Sequence, residues 1–86
     1  MGELSKLMNI GKVVEEQLNQ VDITTYDQLK EAGSKQAWLR IKEIDSSACI
    51  HRLYALEGAI QRLHKSDLSP EVKAELKQFY HMVKGN

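Results

Sequence analysis

The feature that most constrains this fold is an apolar stripe in the middle of the chain. Its members lie four, three, four and three residues apart: Cys49, Leu53, Leu56, Ile60 and Leu63. This spacing places them on one side of an α-helix, so we predict a long helix over residues 46–64, capped by Asp45 and packed along its whole length. No segment alternates apolar and polar residues far enough to predict a β-strand. The chain is therefore expected to be all-α.

Signals for helix starts and stops divide the first half of the chain. A short helix is expected over residues 3–8 and a second over residues 12–20. Thr25 and Gln28 have the spacing of a capping box at the start of a third helix, and Gly33 is expected to end it.

Two further helices complete the predicted bundle. Ser34 is expected to cap a fourth helix over residues 35–44, and Ser69 with Pro70 has the pattern of an N-cap followed by a first-turn proline. The buried face of that last helix is predicted to comprise Val72, Leu76, Phe79 and Val83. The prediction is a compact bundle of five to six short helices, which tertiary packing must hold together.

Length, composition and charge narrow the class of protein. The 86 residues suit one domain, taken as residues 1–86, and 42% hydrophobic residues predict a folded rather than disordered chain. Twelve basic residues balance twelve acidic ones, so any nucleic-acid binding must be local. The sequence has no apolar run of membrane-spanning length, no secretory signal and one cysteine, Cys49. We therefore expect a cytoplasmic protein without membrane contact.

The segment "NIGK", residues 9–12, is the leading candidate for function. Apolar residues on both sides of Gly11 are typical of a helix-hairpin-helix element, in which two short helices meet across a tight turn. We expect Gly11 to adopt a positive φ and the free N–H groups of the next helix to point outward. Those groups and Lys12 would bind a DNA phosphate without reading bases. The candidate DNA-binding residues here are Asn9, Ile10, Gly11 and Lys12.

Other interpretations of these residues stay open. A second anion site at Gly33, Ser34 and Lys35 follows from the same helix-dipole argument. Against both sites, a glycine between helices is most often only a turn, and Glu15 and Glu16 oppose the charge of Lys12.

Few other residues suggest chemistry. Trp38 and Tyr54 could stack on bases, although a core or rim position is the simpler interpretation. Gly58 lies inside the predicted long helix, where close approach of another helix or a dimer seam would explain it. Cys49 lies on the apolar stripe and is expected to be a buried, inert thiol. The histidines have no metal-ligand spacing, so no metal, cofactor or catalytic site is predicted.

Several motifs in order carry a family resemblance. The segments "NIG", "VDIT", "GSKQAWLR", "AC" and "LYALEGA" occur in this order along the chain. Together they resemble the C-terminal domain of the TfoX/Sxy family of bacterial competence regulators. Asp22 departs from the family pattern, which usually has glycine there. Aspartate tolerates the left-handed backbone region but adopts it less easily than glycine does.

The resemblance implies a helical domain of helix-hairpin-helix or SAM-like character. It also implies regulation rather than catalysis, in the context of competence, DNA uptake and transcription beside the cyclic-AMP receptor protein. Two hypotheses follow: a regulatory module that contacts the DNA backbone or a transcription regulator, and a SAM-like protein–protein adaptor or homodimer that binds no DNA.

Overall fold

Helices account for nearly all regular structure in the described part of the chain. The computed structural model describes residues 3–84. It contains helices α1 (Lys12–Gln20), α2 (Tyr26–Ala32), α3 (Ser34–Ile44), α4 (Ile50–Gln61) and α5 (Pro70–Lys84), with 3₁₀ turns at Leu4–Lys6 and Lys65–Asp67. Residues 3–84 contain no β-strand, so the predicted all-α bundle is confirmed.

Helix α4 is the centre of the bundle. It packs against α2, α3, α5 and the second 3₁₀ turn, while α1 packs against α3. Trp38, on α3, is fully buried, and its indole N–H donates to the backbone oxygen of Cys49 at 3.1 Å. The largest fully buried side chains are Trp38, Leu4, Leu18, Ile23, Leu29, Ile41, Leu53, Leu56 and Leu76. One shared apolar core therefore stabilises helices that are individually too short to persist in water.

Three predicted helix starts and stops are confirmed. The hydroxyl of Thr25 accepts the N–H of Gln28 at 3.1 Å, and the Gln28 side chain accepts the N–H of Thr24 at 2.7 Å. Gly33 ends α2 with φ 86°. The hydroxyl of Ser69 accepts the N–H of Val72 at 3.2 Å and caps α5. These local signals were readable because each depends on neighbouring residues only.

The predicted long helix is shorter than expected at both ends. Asp45 caps a preceding turn through the N–H of Ser47 at 3.0 Å, and the N-cap of α4 is Cys49. At the other end Arg62 adopts a left-handed conformation, with φ 60°, which takes Leu63 out of the helix and leaves it 38% exposed. A short polar side chain that can bond its own backbone two residues on competes with helix formation, which is why Asp45 starts a turn.

Two other predicted boundaries were wrong. The first helix is only the 3₁₀ turn Leu4–Lys6, since Leu7 is already extended. Ser34 is the first residue of α3 rather than its cap, and its hydroxyl bonds Glu57 instead. At Ser34 a tertiary contact thus replaces the expected local one. On α3, Ala37 and Ile41 are buried in the core, whereas Ile44 at the end of the helix is 47% exposed.

Candidate functional site

Residues 9–12 form a bend, but its geometry differs from the predicted one. Asn9, not Gly11, has the positive φ, at 73°. Gly11 is extended, with φ −93° and ψ −176°, and α1 begins at the next residue. Asparagine is enriched in the left-handed region because its short polar side chain can hydrogen-bond locally. The arm before the bend is the first 3₁₀ turn, so the hairpin has one true helix.

The start of α1 is open to solvent. Gly11 is its N-cap and supplies no side-chain hydrogen bond to it. A Cβ added to Gly11 would meet no atom within 4 Å, and Lys12 and Val13 are exposed. The first N–H groups of a helix have no partner within it, and at α1 they belong to an end of the helix whose residues are exposed. The residue before Gly11, Ile10, is buried and anchors this end of the helix in the core.

A carboxylate shares this end of α1. Glu15 is only 5% exposed, and its Oε2 accepts the backbone N–H of Ser5 at 2.9 Å. A negative charge in the first turn is stabilised by the helix dipole and reduces the positive potential offered to an outside anion. The opposition expected from Glu15 is thus real, although its carboxylate faces the protein rather than the exposed side.

The side chain of Asn9 holds the bend against the end of α4. Its Nδ2 donates to the backbone oxygen of Leu63 at 2.9 Å, and its Oδ1 accepts the N–H of Lys65 at 3.1 Å. A Cβ on Gly58 would lie 2.5 Å from that Nδ2 and 2.8 Å from the Leu63 oxygen. The close approach that explains Gly58 therefore comes from the Asn9 side chain and a backbone turn, not from another helix. Asn9 positions the bend and is not aimed at a ligand.

The second predicted anion segment has a different environment. Ser34 is 4% exposed, and its hydroxyl donates to Glu57 Oε1 at 2.6 Å. Lys35 Nζ pairs with Glu75 Oε2 at 3.0 Å. With Gly33 these residues line a concavity of about 310 Å³. Two carboxylates at this place make it less favourable to an anion than the bend, and the two segments contact α4 at adjacent residues without forming one site.

A polar network beside α4 was not anticipated. Asp45 Oδ2 accepts from Arg52 Nη1 at 3.0 Å and from Gln17 Nε2 at 2.8 Å. The hydroxyl and backbone N–H of Ser47, then Gln17 and Arg52, hold the pKa of the Asp45 carboxyl well below its ordinary value. The network joins Gln17 on α1 to Asp45, 28 residues further along the chain, and to Arg52 on α4, 35 residues further along, so no local pattern could have revealed it.

Cys49 is exposed, which corrects the expected buried thiol. As N-cap of α4 it points away from the stripe, because the helix begins after it. Partial burial raises the pKa of the Cys49 thiol, but the backbone N–H groups of Arg52 and His51 and the Arg52 charge lower that pKa by more, leaving it below its ordinary value. A thiol at a helix N-terminus beside a cation is expected to react more readily as a thiolate.

Residues 3–84 contain neither a cluster of metal ligands nor a membrane-spanning helix. No group of three or more His, Cys, Asp or Glu lies close enough to hold a metal ion in this part of the chain. Within the same residues, no helix has both the length and the apolar character needed to cross a bilayer. The two aromatic residues considered for base stacking lie in different environments. Trp38 belongs to the core, whereas Tyr54 is half-buried at the surface.

Comparison with known proteins provides relatives of the whole chain. An uncharacterized protein from Listeria monocytogenes, in a triclinic crystal form, is 48% identical, with a TM-score of 0.95 over 99% of this chain and 97% of that one. A protein of unknown function from Listeria monocytogenes, in a tetragonal form, is 49% identical, with a TM-score of 0.91 over 94% of this chain and 99% of that one. No curated protein matches the chain.

The motifs that carry the family resemblance contact one another in the structure. In the structure "NIG" meets "LEGA" through Asn9 and Gly58, and "GS" meets the same helix through Ser34 and Glu57. The family model described as the TfoX C-terminal domain matches residues 1–80. The chain therefore belongs to the TfoX C-terminal domain family.

Proposed function

We propose that this domain is a non-enzymatic regulatory interaction module that contacts the DNA backbone through the bend at Gly11 and Lys12. The observation that carries the proposal is the environment of Gly11. Its backbone angles suit any residue, and a side chain there would meet nothing in the domain. Neither the backbone conformation nor the packing of the domain requires glycine at position 11. Close approach of a binding partner to the backbone there would explain the glycine.

The chemistry of the bend suits a phosphate. Outward N–H groups at the start of α1, the positive end of the helix dipole and the Lys12 ammonium all favour an anion. Such a contact positions DNA without reading its sequence. With few phosphates engaged, the log–log dependence of the affinity on salt should have a slope of only about −2 to −4. In a regulatory role, this weak DNA binding would act together with a transcription regulator protein.

Fluorescence anisotropy with labelled duplex and single-stranded oligonucleotides at low salt tests the proposal. Lys12→Gln should weaken binding severalfold and reduce the salt slope by about 1. Lys77→Gln, which removes an exposed charge on α5, is the matched control and should leave binding unchanged. Lys35→Gln examines the second segment: weaker binding would add it to the interface, and unchanged binding would confine the interface to the bend. Equal binding by wild type and Lys12→Gln would remove the bend from DNA recognition.

Gly11→Asp separates binding from stability. An aspartate at an N-cap accepts the free N–H groups itself and places a negative charge where the phosphate would lie. The variant should be at least as stable as the wild type, gaining about 0.5–1 kcal/mol in free energy of unfolding, yet lose DNA binding. Retained DNA binding by a stable Gly11→Asp protein would contradict the proposal.

A second candidate function is a protein–protein adaptor or homodimer. It is favoured by large apolar side chains left on the surface, notably Val13 at 62% and Met82 at 65% exposure. Gly58 cannot supply the seam in this conformation because Asn9 fills the space above it. The exposed end of α5 is the remaining candidate. Sedimentation should then show a concentration-dependent dimer that Met82→Glu abolishes and Lys77→Glu preserves, and a monomer at all concentrations would exclude self-association.

A further inference from the structure

A cleft with a positive rim lies between α4, the turn Lys65–Asp67 and α5. It is lined by His51, Tyr54, Lys65, Ser66 and Lys73 and has a volume of about 250 Å³. No carboxylate belongs to this lining. In a chain whose charges balance, a concavity with two ammonium groups and an imidazole but no acid is a local concentration of positive potential.

The two ammonium groups are not neutralised by the protein. Within residues 3–84, neither Lys65 nor Lys73 forms an ion pair, whereas Lys35 and Arg52 each bind a carboxylate. Lys73 Nζ donates to the backbone oxygen of Ser66 at 3.2 Å, which holds it at the cleft without cancelling its charge. These cations are therefore available to an anion from outside.

The position of Lys65 is built into the fold. Its backbone N–H donates to Asn9 Oδ1 at 3.1 Å, and its Cα lies 3.3 Å from where a Gly58 Cβ would be. The contact that holds the bend also fixes the turn that carries Lys65. One side of the cleft is thus preorganised rather than a flexible surface loop.

An aromatic ring forms part of the wall. Tyr54 is half-buried, and its ring meets that of His51 edge-on, with centroids 6.4 Å apart. Within residues 3–84 the Tyr54 hydroxyl makes no hydrogen bond, and most of the surface that lines the cleft is apolar. A flat apolar wall below cationic groups suits a ligand that has an aromatic face and a phosphate.

We propose that this cleft binds one nucleotide unit, with its phosphate between Lys65 and Lys73 and its base against Tyr54. The volume lies just below the range of roughly 300–1,000 Å³ that whole small-molecule ligands occupy, so the cleft fits a single unit and not a dinucleotide. The unit could come from a free nucleotide or from a nucleic-acid strand, since both have the same chemistry. The lining of this cleft shares no residue with the DNA contact proposed at Gly11 and Lys12.

Amide chemical-shift titrations with AMP, adenosine, inorganic phosphate and a short single-stranded oligonucleotide test this assignment. AMP should shift the amides of His51, Tyr54, Lys65, Ser66 and Lys73 and bind more tightly than adenosine or phosphate. The double variant Lys65→Gln/Lys73→Gln should weaken AMP binding about tenfold or more, with Lys77→Gln as the matched control. Tyr54→Leu, which keeps an apolar side chain, should remove the preference for AMP over inorganic phosphate.

The outcomes divide cleanly. Tighter binding of the oligonucleotide than of AMP assigns the cleft to a strand, and equal binding assigns it to a free nucleotide. Any of three results would overturn the proposal. These are no binding of AMP or the oligonucleotide at millimolar concentration, unchanged binding by a folded double variant, and equal affinity for AMP and phosphate. Lys12→Gln should leave AMP binding intact, so failure at the bend and failure at the cleft are distinguishable.

Discussion

The side-chain nitrogen of Asn9 lies 2.5 Å from the position that a Cβ would take on Gly58. The two residues are 49 positions apart in sequence, and the presence of each one accounts for the residue type at the other position. The Asn9 side chain can reach the backbone of Leu63 and Lys65 only because position 58 of α4 has no side chain. Gly58, which is unfavourable inside a helix by about 1 kcal/mol relative to alanine, is retained because that space is occupied.

Replacement of Asn9 should destabilise the domain through two separable effects. Asn9→Gly loses the hydrogen bonds to Leu63 and Lys65 and should lower the free energy of unfolding by about 1–3 kcal/mol. Asn9→Ala should cost about 1 kcal/mol more, because alanine disfavours the left-handed backbone. Urea unfolding followed by the fluorescence of the buried Trp38 measures both. Asn19→Ala, at an exposed position in α1, is the control, and equal stability of the two Asn9 variants would contradict the backbone part of the argument.

Gly58→Ala should be destabilising although alanine is the better helix former. The new methyl group would lie 2.8 Å from the backbone oxygen of Leu63, which cannot move as a side-chain end can. We expect a net loss of about 1–3 kcal/mol in unfolding free energy. Gly11→Ala is the matched control, since nothing lies within 4 Å of its Cβ. Less than additive loss on combining Gly58→Ala with Asn9→Gly would show that the two residues are coupled, and a fully stable Gly58→Ala protein would refute the close approach.

Ser34 should contribute to stability rather than only start a helix. Its buried hydroxyl donates to Glu57, and a hydrogen bond to a charged group is worth about 1.5–3 kcal/mol. Ser34→Ala should therefore lower the unfolding free energy by about 1–2 kcal/mol, because Gln61 still donates to the other oxygen of Glu57. The exposed Ser46→Ala is the control for thermal unfolding. An equal effect of the two substitutions would mean that the buried hydrogen bond contributes nothing.

Stability should fall in acid partly because of Asp45. Its folded-state pKa is lowered, so the contribution of its carboxylate is present above the unfolded pKa of about 3.9 and is lost as the pH falls below it. Asp45→Asn should therefore flatten the acid side of the stability profile relative to the wild type. Urea midpoints measured from neutral pH downward test this. Glu43→Gln, at an exposed position on α3, should leave the acid slope unchanged, and an Asp45→Asn profile parallel to that of the wild type would rule out the network as the cause.

Cys49 should behave as an accessible, activated thiol. The pKa of its thiol is lowered, so the midpoint of its alkylation by iodoacetamide with pH should lie below the ordinary value of about 8.5. Unfolding in urea should return the midpoint to that value, because the α4 amides and Arg52 no longer surround the sulfur. Arg52→Gln should raise the midpoint in the folded protein. A folded-state midpoint at or above the unfolded one would show that burial dominates.

The position of the bend was predictable from the sequence, but its backbone geometry was not. The bend at residues 9–12 and the open start of α1 follow from local apolar spacing and a glycine. Which residue takes the positive φ did not follow, because asparagine and glycine both tolerate it and only the contact of Asn9 with α4 chooses between them. The cleft at Lys65 and Lys73 was invisible in sequence, since its lining comes from three separate elements.

The sequence by itself determined the all-α class, the caps at Thr25 and Ser69, the stop at Gly33 and the family, because these depend on spacing and on neighbours a few residues apart. Only the tertiary structure decided where α4 begins, what fills the space at Gly58, why Ser34 is buried and which cations remain unpaired. Those outcomes depend on contacts between residues tens of positions apart, and a packed core selects among local options that are nearly equal in free energy.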